Sequence, residues 1–243
     1  MSVTVVSVTS RIPGPREPYY RYGIWLKSLQ RFGVDPVVLG MGQHWGGLTS
    51  KPRYLRQWLR DGRCATDLVI VTDSYDVIFA APPNEVEKAY RKFWSFQPIV
   101  FNAEKNLFPR VDLADHFPDM GTPWRYLNSG LMIGSPVDIL KLLDGMLLDD
   151  IHEDYRLPDG RWVHPNDQGW FQVAYALQVT PTRIDSNCHI FQTFSACTLD
   201  EFEIGPQWRT IRNKFTGTEP LVLHLNGGAK NDIMPALMQH YGL

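Results

Sequence analysis

An unbroken apolar run, Leu68 to Val71, limits the fold more than any other segment of the chain. Strands of sheets that face water on one side alternate apolar and polar residues, whereas an unbroken apolar strand is typical of a parallel sheet covered on both faces. We therefore expect these residues to form a central strand, with helices packed against both faces of its sheet.

Strand-like and helix-like patterns alternate along the first half of the chain. The strand-like segments are Val3 to Val8, Pro36 to Leu39, Ile99 to Phe101 and Tyr126 to Gly134. The helix-like segments are Tyr19 to Phe32, Pro52 to Leu59, Asn84 to Phe96, Val137 to Leu148, Asp167 to Leu177 and Asn231 to Tyr241. This order predicts an α/β fold with a Rossmann-like, mostly parallel sheet, helices on both of its faces and a small antiparallel sheet in the second half. The 243 residues suit a single domain.

Charge and hydropathy narrow the range of partners. The formal net charge of -2 gives no global field that would attract nucleic acid or anionic lipid. A local exception is a group of basic residues that is either a solvated helix face or a phosphate-binding surface: Lys51, Arg53, Arg56, Arg60 and Arg63. No stretch approaches the roughly 20 apolar residues of a membrane span, and the N-terminal apolar segment alternates with Ser and Thr, as a strand does and a signal peptide does not. We expect a cytoplasmic protein.

Two carboxylates, Asp73 and Asp76, directly follow the central apolar run. Ligands of open α/β sheets bind at the carboxyl ends of the strands, and neighbouring acids repel each other unless a cation lies between them. Oxygen ligands of this kind suit Mg²⁺ or Mn²⁺. A pair of loop or helix-capping acids is the alternative interpretation of the spacing.

His224 follows a second apolar strand and opens the segment His-Leu-Asn-Gly-Gly-Ala-Lys, which ends at Lys230. A neutral imidazole can complete a metal shell, glycines let the backbone approach a ligand, and Lys230 supplies a point charge for phosphate. The combination fits a nucleotide diphosphate, although a single histidine after a strand is often purely structural.

Three further segments supply candidate pocket residues. Asn166 and Asp167 open a helix, where Asn166 can act as a cap and Asp167 as a base or as a group that orients an acceptor hydroxyl. Small polar residues at the start of a strand can line a sugar pocket or form an ordinary turn, and they are Asn128, Ser129 and Gly130. Two aromatic residues are candidates for stacking on a base or a sugar: Trp45, in a glycine-rich loop, and Tyr75, between the two acids.

Six stretches resemble, in the same order, the glycosyltransferase domain of the PLOD-type (procollagen lysyl hydroxylase) family. They read VTDSYDVIFAAPPNEV, FNAEKNLFP, RYLNSGLMIG, NDQGWF, DSNCHIFQTF and HLNGGAK, and the similarity covers most of the chain from about Gly40 to Lys230. The resemblance implies a GT-A fold in a single domain, with a nucleotide-binding half over about 1–125 and an acceptor and metal half over about 126–243. It also implies a UDP-sugar donor and Mn²⁺, with Mg²⁺ as the other cation that the acids would suit.

The resemblance also implies roles for residues at matching positions. The metal ligands would be Asp73, Asp76 and His224, and Tyr75 would stack on uracil. The remaining donor contacts would come from Val8, Ser10, Trp45, Lys51, Asn226, Gly227 and Lys230. Asp167 matches the last acid of the family's aspartate-rich run, whereas Asn166 replaces an acid and Phe108 stands where the family often has Trp.

The predicted function is metal-dependent transfer of a hexose, glucose or galactose, from a UDP-sugar to a hydroxyl group. The resemblance implies hydroxylysine or galactosyl-hydroxylysine of a collagen-like protein as the acceptor. One alternative is a hydroxymethylated pyrimidine in DNA, held by the basic residues between Lys51 and Arg63. A second alternative is a non-catalytic nucleotide-sugar binding module, and a nucleotide-sugar hydrolase and a nucleotidyltransferase are lesser ones.

Overall fold

The computed structural model describes residues 3–11, 22–94, 99–146, 155–156, 162–163, 166–205 and 211–243. Its strands are β1 (Val3–Val8), β2 (Val37–Leu39), β3 (Leu68–Thr72), β4 (Val77–Phe79), β5 (Ile99–Glu104), β6 (Tyr126–Gly134), β7 (Tyr155–Arg156), β8 (Trp162–Val163), β9 (Thr182–Asp185), β10 (Phe191–Thr193), β11 (Phe202–Ile204), β12 (Ile211–Asn213) and β13 (Val222–His224). Its α-helices are α1 (Tyr22–Gln30), α2 (Ser50–Arg60), α3 (Pro83–Trp94), α4 (Pro136–Gly145), α5 (Asp167–Ala176), α6 (Ala229–Asp232) and α7 (Met234–Tyr241), and two short 3₁₀ turns cover Val111–His116 and Leu199–Glu201.

The predicted helices are confirmed with shifted ends. Parts of three predicted helices, at residues 19–21, 95–96 and 147–148, lie outside the described residues. The predicted helix from Asn231 to Tyr241 is wrong in one respect, because the chain forms two helices, α6 and α7, that meet at Ile233. Proline in the first turn of α7 explains the break, since proline lacks the N–H that a continuous helix needs but suits a new helix start.

The central sheet has six strands in the order β2-β1-β3-β6-β5-β9. β1 pairs in parallel with β2 and β3, and β5 pairs in parallel with β9. β6 runs antiparallel to both of its neighbours, β3 and β5. The expected mostly parallel sheet is therefore confirmed, but β3 is parallel to only one neighbour. A buried strand reads as a continuous apolar run in either direction, so the sequence pattern could not reveal the reversal.

Alternating side chains of β3 explain why its sequence is apolar throughout. Val69 and Val71 belong to a core with side chains of α2, α4 and α5 on one face of the sheet. Leu68 and Ile70 belong to a second core with side chains of α1 and α3 on the other face. Each such buried aliphatic side chain contributes about 1.5–3 kcal/mol. Helices on both faces are thus confirmed, and β3 is fixed rigidly at its carboxyl end.

Two irregular features shape that end of the sheet. β13 lies beside β4 in an antiparallel pair, in a three-stranded sheet completed by β10, and the register sets His224 opposite Val77. In the β5–β6 pair, Phe101 faces Met132 but Asn102 faces Asn128, so residues 129–131 of β6 have no partner on β5. Such bulges re-aim side chains next to ligand sites. The predicted antiparallel pairs are also seen in two-stranded sheets formed by β11 with β12 and by β7 with β8.

Candidate active site

Backbone hydrogen bonds from neighbouring strands position the two predicted acids. The amide of Asp73 donates to the carbonyl oxygen of Gly130 at 2.8 Å, and the carbonyl oxygen of Asp76 accepts from the amide of Leu225 at 2.7 Å. The turn between β3 and β4 is thereby held on one side by β6 and on the other by the end of β13. The segment is not a helix start, so the alternative of helix-capping acids is wrong.

His224 lies between the two carboxylates. Its Nε2 atom is 3.5 Å from Oδ2 of Asp73 and 3.5 Å from Oδ1 of Asp76. Each of the three residues offers one ligand atom, and these atoms lie within 4.8 Å of one another. Sequence separation between the acids and the histidine is large, so the antiparallel pairing of β4 with β13 creates this cluster.

Gly130 and Asn102 fix the His224 ring, which is 2% exposed. A Cβ atom at Gly130 would lie 2.0 Å from Cε1 of His224, so only glycine leaves room for the ring against β6. When the Asn102 amide nitrogen donates to the carbonyl oxygen of Leu131 at 3.0 Å, its amide oxygen accepts from Nδ1 of His224 at 3.3 Å. The ring proton then resides on Nδ1, and Nε2 presents its lone pair to the carboxylates. An acceptor facing two anionic oxygens is unfavourable unless a cation lies among them.

Two lysines flank the acids. Nζ of Lys230 lies 2.7 Å from Oδ2 of Asp76. Burial raises the pKa of Asp76. When no cation is bound, contacts with a protonated His224 ring and with Lys230 outweigh burial and bring that pKa below its ordinary value. Nζ of Lys51 lies 2.6 Å from Oδ1 of Asp73 and 3.0 Å from Oδ2 of Asp167. Burial lowers the pKa of Lys51, but the Asp167 and Asp73 carboxylates outweigh it and raise that pKa above its ordinary value.

A cavity of about 790 Å³ opens over this cluster. Ligand pockets of proteins commonly have volumes of about 300–1,000 Å³. All of the predicted site residues line it, and they are Val8, Ser10, Trp45, Lys51, Asp73, Tyr75, Asp76, Asn128, Ser129, Gly130, Asn166, Asp167, His224, Asn226, Gly227 and Lys230. The fold therefore brings together every residue predicted for the metal, donor and catalytic sites, although the ligand assigned to each stays a prediction.

The aromatic candidates are held by neighbouring loops. The hydroxyl of Tyr75 lies 2.6 Å from Oγ1 of Thr9 and donates to the carbonyl oxygen of Arg11 at 3.1 Å. These contacts anchor the ring beside the end of β1. Trp45 is 36% exposed in the loop before α2, where the amide of Gly46 donates to Oγ of Ser50 at 2.9 Å.

Asn166 and Asp167 have different surroundings. Oδ1 of Asn166 accepts from the amide of Gly169 at 2.8 Å, so its side chain caps α5 as the capping interpretation predicted. Asp167 is the first residue of α5 and is 6% exposed, with Lys51 as its ionic partner. Of the two, Asp167 is the better candidate for a chemical role.

The side-chain amide of Asn226 forms hydrogen bonds within the protein at both its oxygen and its nitrogen. Its Oδ1 accepts from the amides of Phe194 and Ser195 at 3.2 and 3.0 Å, and its Nδ2 donates to Oε2 of Glu104 at 2.9 Å. Gly227 has a φ of +62°, and a Cβ there would lie 3.0 Å from Oγ of Ser195. The left-handed backbone itself favours glycine at this position, and the close approach of a ligand to it stays a prediction.

Sequence reasoning missed Glu104 and Gln168, which also line the cavity. Nε2 of Gln168 donates to Oε1 of Glu104 at 2.7 Å. Burial raises the pKa of Glu104 to about 7, against the opposing effects of His224 and of amide hydrogen bonds. Glu104 ends a short apolar strand just as Asp73 follows one, and that pattern was the available signal.

The basic residues of α2 do not form one exposed surface. Lys51 is buried, the guanidinium of Arg53 lies 5.8 Å from the ring of Trp170, and Arg60 pairs with Asp144 at 2.6 Å. Because Lys51 is buried, a phosphate backbone could not contact all of the basic residues between Lys51 and Arg63 together. In the described parts of the chain, no helix is long and apolar enough to span a membrane.

The sequence matches the profile of the PLOD GT domain over residues 2–238. Procollagen-lysine,2-oxoglutarate 5-dioxygenase 2 of Mus musculus is 31% identical over 218 residues, which are 85% of this chain and 28% of that protein. The human multifunctional procollagen lysine hydroxylase and glycosyltransferase LH3 is 28% identical over 225 residues, 88% of this chain and 28% of that protein. An uncharacterized protein of Acanthamoeba polyphaga mimivirus is 26% identical, over 84% of this chain and 42% of that protein. The chain thus spans less than half the length of these relatives.

Two solved structures share the fold. Mouse xyloside xylosyltransferase 1 in its apo form superposes with a TM-score of 0.55 at 13% identity, covering 93% of this chain and 98% of that one. A glycosyltransferase involved in the glycosylation of the major capsid of PBCV-1 superposes with a TM-score of 0.51 at 13% identity, covering 99% of both chains. The predicted GT-A fold is confirmed.

Proposed function

The chain belongs to the PLOD glycosyltransferase-domain family, and on that basis we propose that it transfers glucose or galactose from UDP to a hydroxyl acceptor with the help of a divalent cation. The observation that carries the proposal is the cluster of Asp73, Asp76 and His224 at the carboxyl end of β3. It lies in a cavity large enough for a nucleotide-sugar.

The three residues fit a divalent cation. Nε2 of His224 lies 3.5 Å from one oxygen of each carboxylate, and the three ligand atoms lie within 4.8 Å of one another. Two oxygens and one imidazole nitrogen suit Mn²⁺, and Mg²⁺ would accept the oxygens. A cation bound there would supply positive charge that offsets the charge of the departing diphosphate.

Other residues would bind and orient the donor. Tyr75, anchored through its hydroxyl, offers a ring for uracil, and Trp45 offers an exposed face at the cavity edge. Lys230 has about a third of its side chain exposed and can turn its ammonium from Asp76 toward a phosphate oxygen.

The transfer needs a group that receives a proton. The acceptor hydroxyl oxygen forms a bond to the anomeric carbon, the bond from that carbon to the phosphate oxygen breaks, and its electron pair leaves with UDP. Asp167, an acid on the cavity wall, is our candidate to orient the hydroxyl and take its proton.

Hydroxylysine, alone or already galactosylated, is the acceptor that we favour. The names of the relatives support it, since one of them is called a procollagen lysine hydroxylase and glycosyltransferase. The DNA alternative is weaker because Lys51 is buried and Arg53 lies against Trp170, which leaves fewer basic groups for a phosphate backbone. The family membership and the complete acid and histidine cluster also disfavour a non-catalytic binding module.

A donor and acceptor screen tests the proposal. Wild-type protein with Mn²⁺ is given UDP-glucose or UDP-galactose together with a hydroxylysine-containing collagen-like peptide or duplex DNA containing hydroxymethylcytosine. We expect UDP release with one donor and a hexose mass increase on the peptide. A mass increase on DNA alone would replace the acceptor, and no UDP release from any donor would overturn the proposed function.

A further inference from the structure

The ammonium of Lys51 already uses all of its hydrogen-bond donors within the protein. Nζ lies 2.6 Å from Oδ1 of Asp73, 2.9 Å from the carbonyl oxygen of Ser129 and 3.0 Å from Oδ2 of Asp167. An ammonium group has three N–H donors. Lys51 therefore has no donor left for a diphosphate unless one of these contacts breaks, and the donor-binding role expected from the family resemblance does not follow from its position.

The three acceptors come from elements that serve different parts of the proposed reaction. Asp73 follows β3 and is a candidate metal ligand. Ser129 lies in the segment of β6 that has no partner on β5, and Asp167 opens α5. The Lys51 side chain is 7% exposed, so these contacts are shielded from water, and a lysine on α2 ties the three elements together.

We propose that Lys51 is a positioning residue, which holds the Asp167 carboxylate beside the donor site, and that it is not a ligand of the diphosphate. The inference rests on the proposed function, because it assigns Asp167 to the acceptor hydroxyl. Small displacements of a reacting group are costly, since misplacement by about 1 Å can lower a rate about 100-fold. Lys230, with one carboxylate contact and a more exposed side chain, is the lysine left to meet phosphate.

A double-mutant cycle separates the two roles of Lys51. The four proteins are the wild type, Lys51→Met, Asp167→Asn and the double variant, and the control is Arg60→Met, which removes an exposed ion pair from the same helix. Three quantities are measured: UDP affinity by calorimetry at saturating Mn²⁺, turnover of whichever UDP-hexose the wild type uses, and the melting temperature.

We expect Lys51→Met to change the Kd of UDP by less than about threefold while turnover falls about tenfold to 100-fold, because Asp167 is displaced and not removed. Removal of a proton-transfer group typically costs about 100- to 10,000-fold. In the Asp167→Asn background, the same lysine substitution should change turnover by less than about threefold, because the group that Lys51 positions is already lost. The drop in melting temperature caused by Lys51→Met should likewise be smaller in the Asp167→Asn background than in the wild type. This comparison tests the ion pair without any ligand.

Two patterns would overturn the inference. One is an equal loss of turnover in both backgrounds, and the other is a tenfold or larger rise in the Kd of UDP, as expected for a lost phosphate contact. If Lys51→Met does not fold, the comparison of the double variant with Asp167→Asn still decides. A wild type that releases no UDP from any donor would instead refute the proposed function, and the melting-temperature cycle would still report on the ion pair.

Discussion

Replacing Gly130 with alanine tests the candidate metal site without removing any of its ligands. The added Cβ would lie 2.0 Å from Cε1, 2.6 Å from Nδ1 and 2.8 Å from Nε2 of His224. The ring is 2% exposed and contacts Asn102 on its other nitrogen, so it cannot move aside without leaving Asp73 and Asp76. We therefore expect the alanine to displace the imidazole from the two carboxylates.

The expected effects differ in size for stability and for metal binding. Overpacking a core costs about 1–3 kcal/mol, and in a chain of 243 residues each kcal/mol lowers the melting temperature by about 2–4 °C. Losing a partner that only orients a ligand already weakens metal affinity about 10–100-fold, so displacing the ligand itself should weaken Mn²⁺ binding about 100-fold or more.

Calorimetric titration of Mn²⁺ in the presence of UDP, together with thermal unfolding, measures both effects. The matched control is Gly23→Ala in α1, where an added Cβ meets no atom within 4 Å. This control should keep wild-type affinity. A folded Gly130→Ala protein that binds Mn²⁺ as tightly as the wild type would show that His224 is not part of a metal site.

Substitutions at three further positions test other parts of the molecule. Burial raises the pKa of Asp185 to about 6, so as pH rises this carboxyl ionises in the unfolded protein before it ionises in the folded protein. The free energy of unfolding should therefore fall by about 3 kcal/mol between about pH 4 and pH 6, and Asp185→Asn should lack this fall in urea unfolding. Tyr75→Phe removes the hydroxyl contacts with Thr9 and should raise the Kd of UDP about threefold to tenfold, with a larger rise for Tyr75→Ala, by calorimetry. Both carboxylate oxygens of Glu104 accept hydrogen bonds from side-chain amides, so Glu104→Gln would place an NH₂ group against one of these donors. The substitution should lower the free energy of unfolding by about 1–3 kcal/mol and reduce UDP release.

A specific result would contradict each of these three predictions. A pH dependence of stability that is the same in the wild type and in Asp185→Asn would show that Asp185 ionises at its ordinary pKa. Equal UDP affinity in the wild type, Tyr75→Phe and Tyr75→Ala would remove Tyr75 from the donor site. Unchanged stability and activity in Glu104→Gln would show that the hydrogen bonds around Glu104 have no functional weight.

Local patterns in the sequence were sufficient for the layers of the fold. The unbroken apolar run of β3 correctly indicated a strand covered on both faces, and helical spacing located α2 to α5 to within a few residues. Strand direction is not a local property, so the antiparallel orientation of β6 could not be read from its residues. The break between α6 and α7 could have been predicted from Pro235.

The site was predictable where a residue type and its place at a strand end coincided. Asp73 directly follows β3, Asp76 lies in the turn between β3 and β4, and His224 ends β13; the structure brings the three together. Gly130 was predicted only as a pocket residue and Asn102 not at all, because both act through contact with a histidine about a hundred residues away. Such long-range packing follows from strand pairing and has no signature in the local sequence.

The central claim is that this chain uses a divalent cation at Asp76 and its neighbours to release UDP from a UDP-hexose. The most direct measurement is UDP release from the preferred donor with Mn²⁺ or with EDTA, in the wild type, in Asp76→Asn and in Asp35→Asn, an acid exposed before β2. The account predicts release by the wild type and by Asp35→Asn that EDTA abolishes, and at least a hundredfold loss in Asp76→Asn, as for other lost electrostatic stabilisation. Release that persists with EDTA or in Asp76→Asn would contradict it.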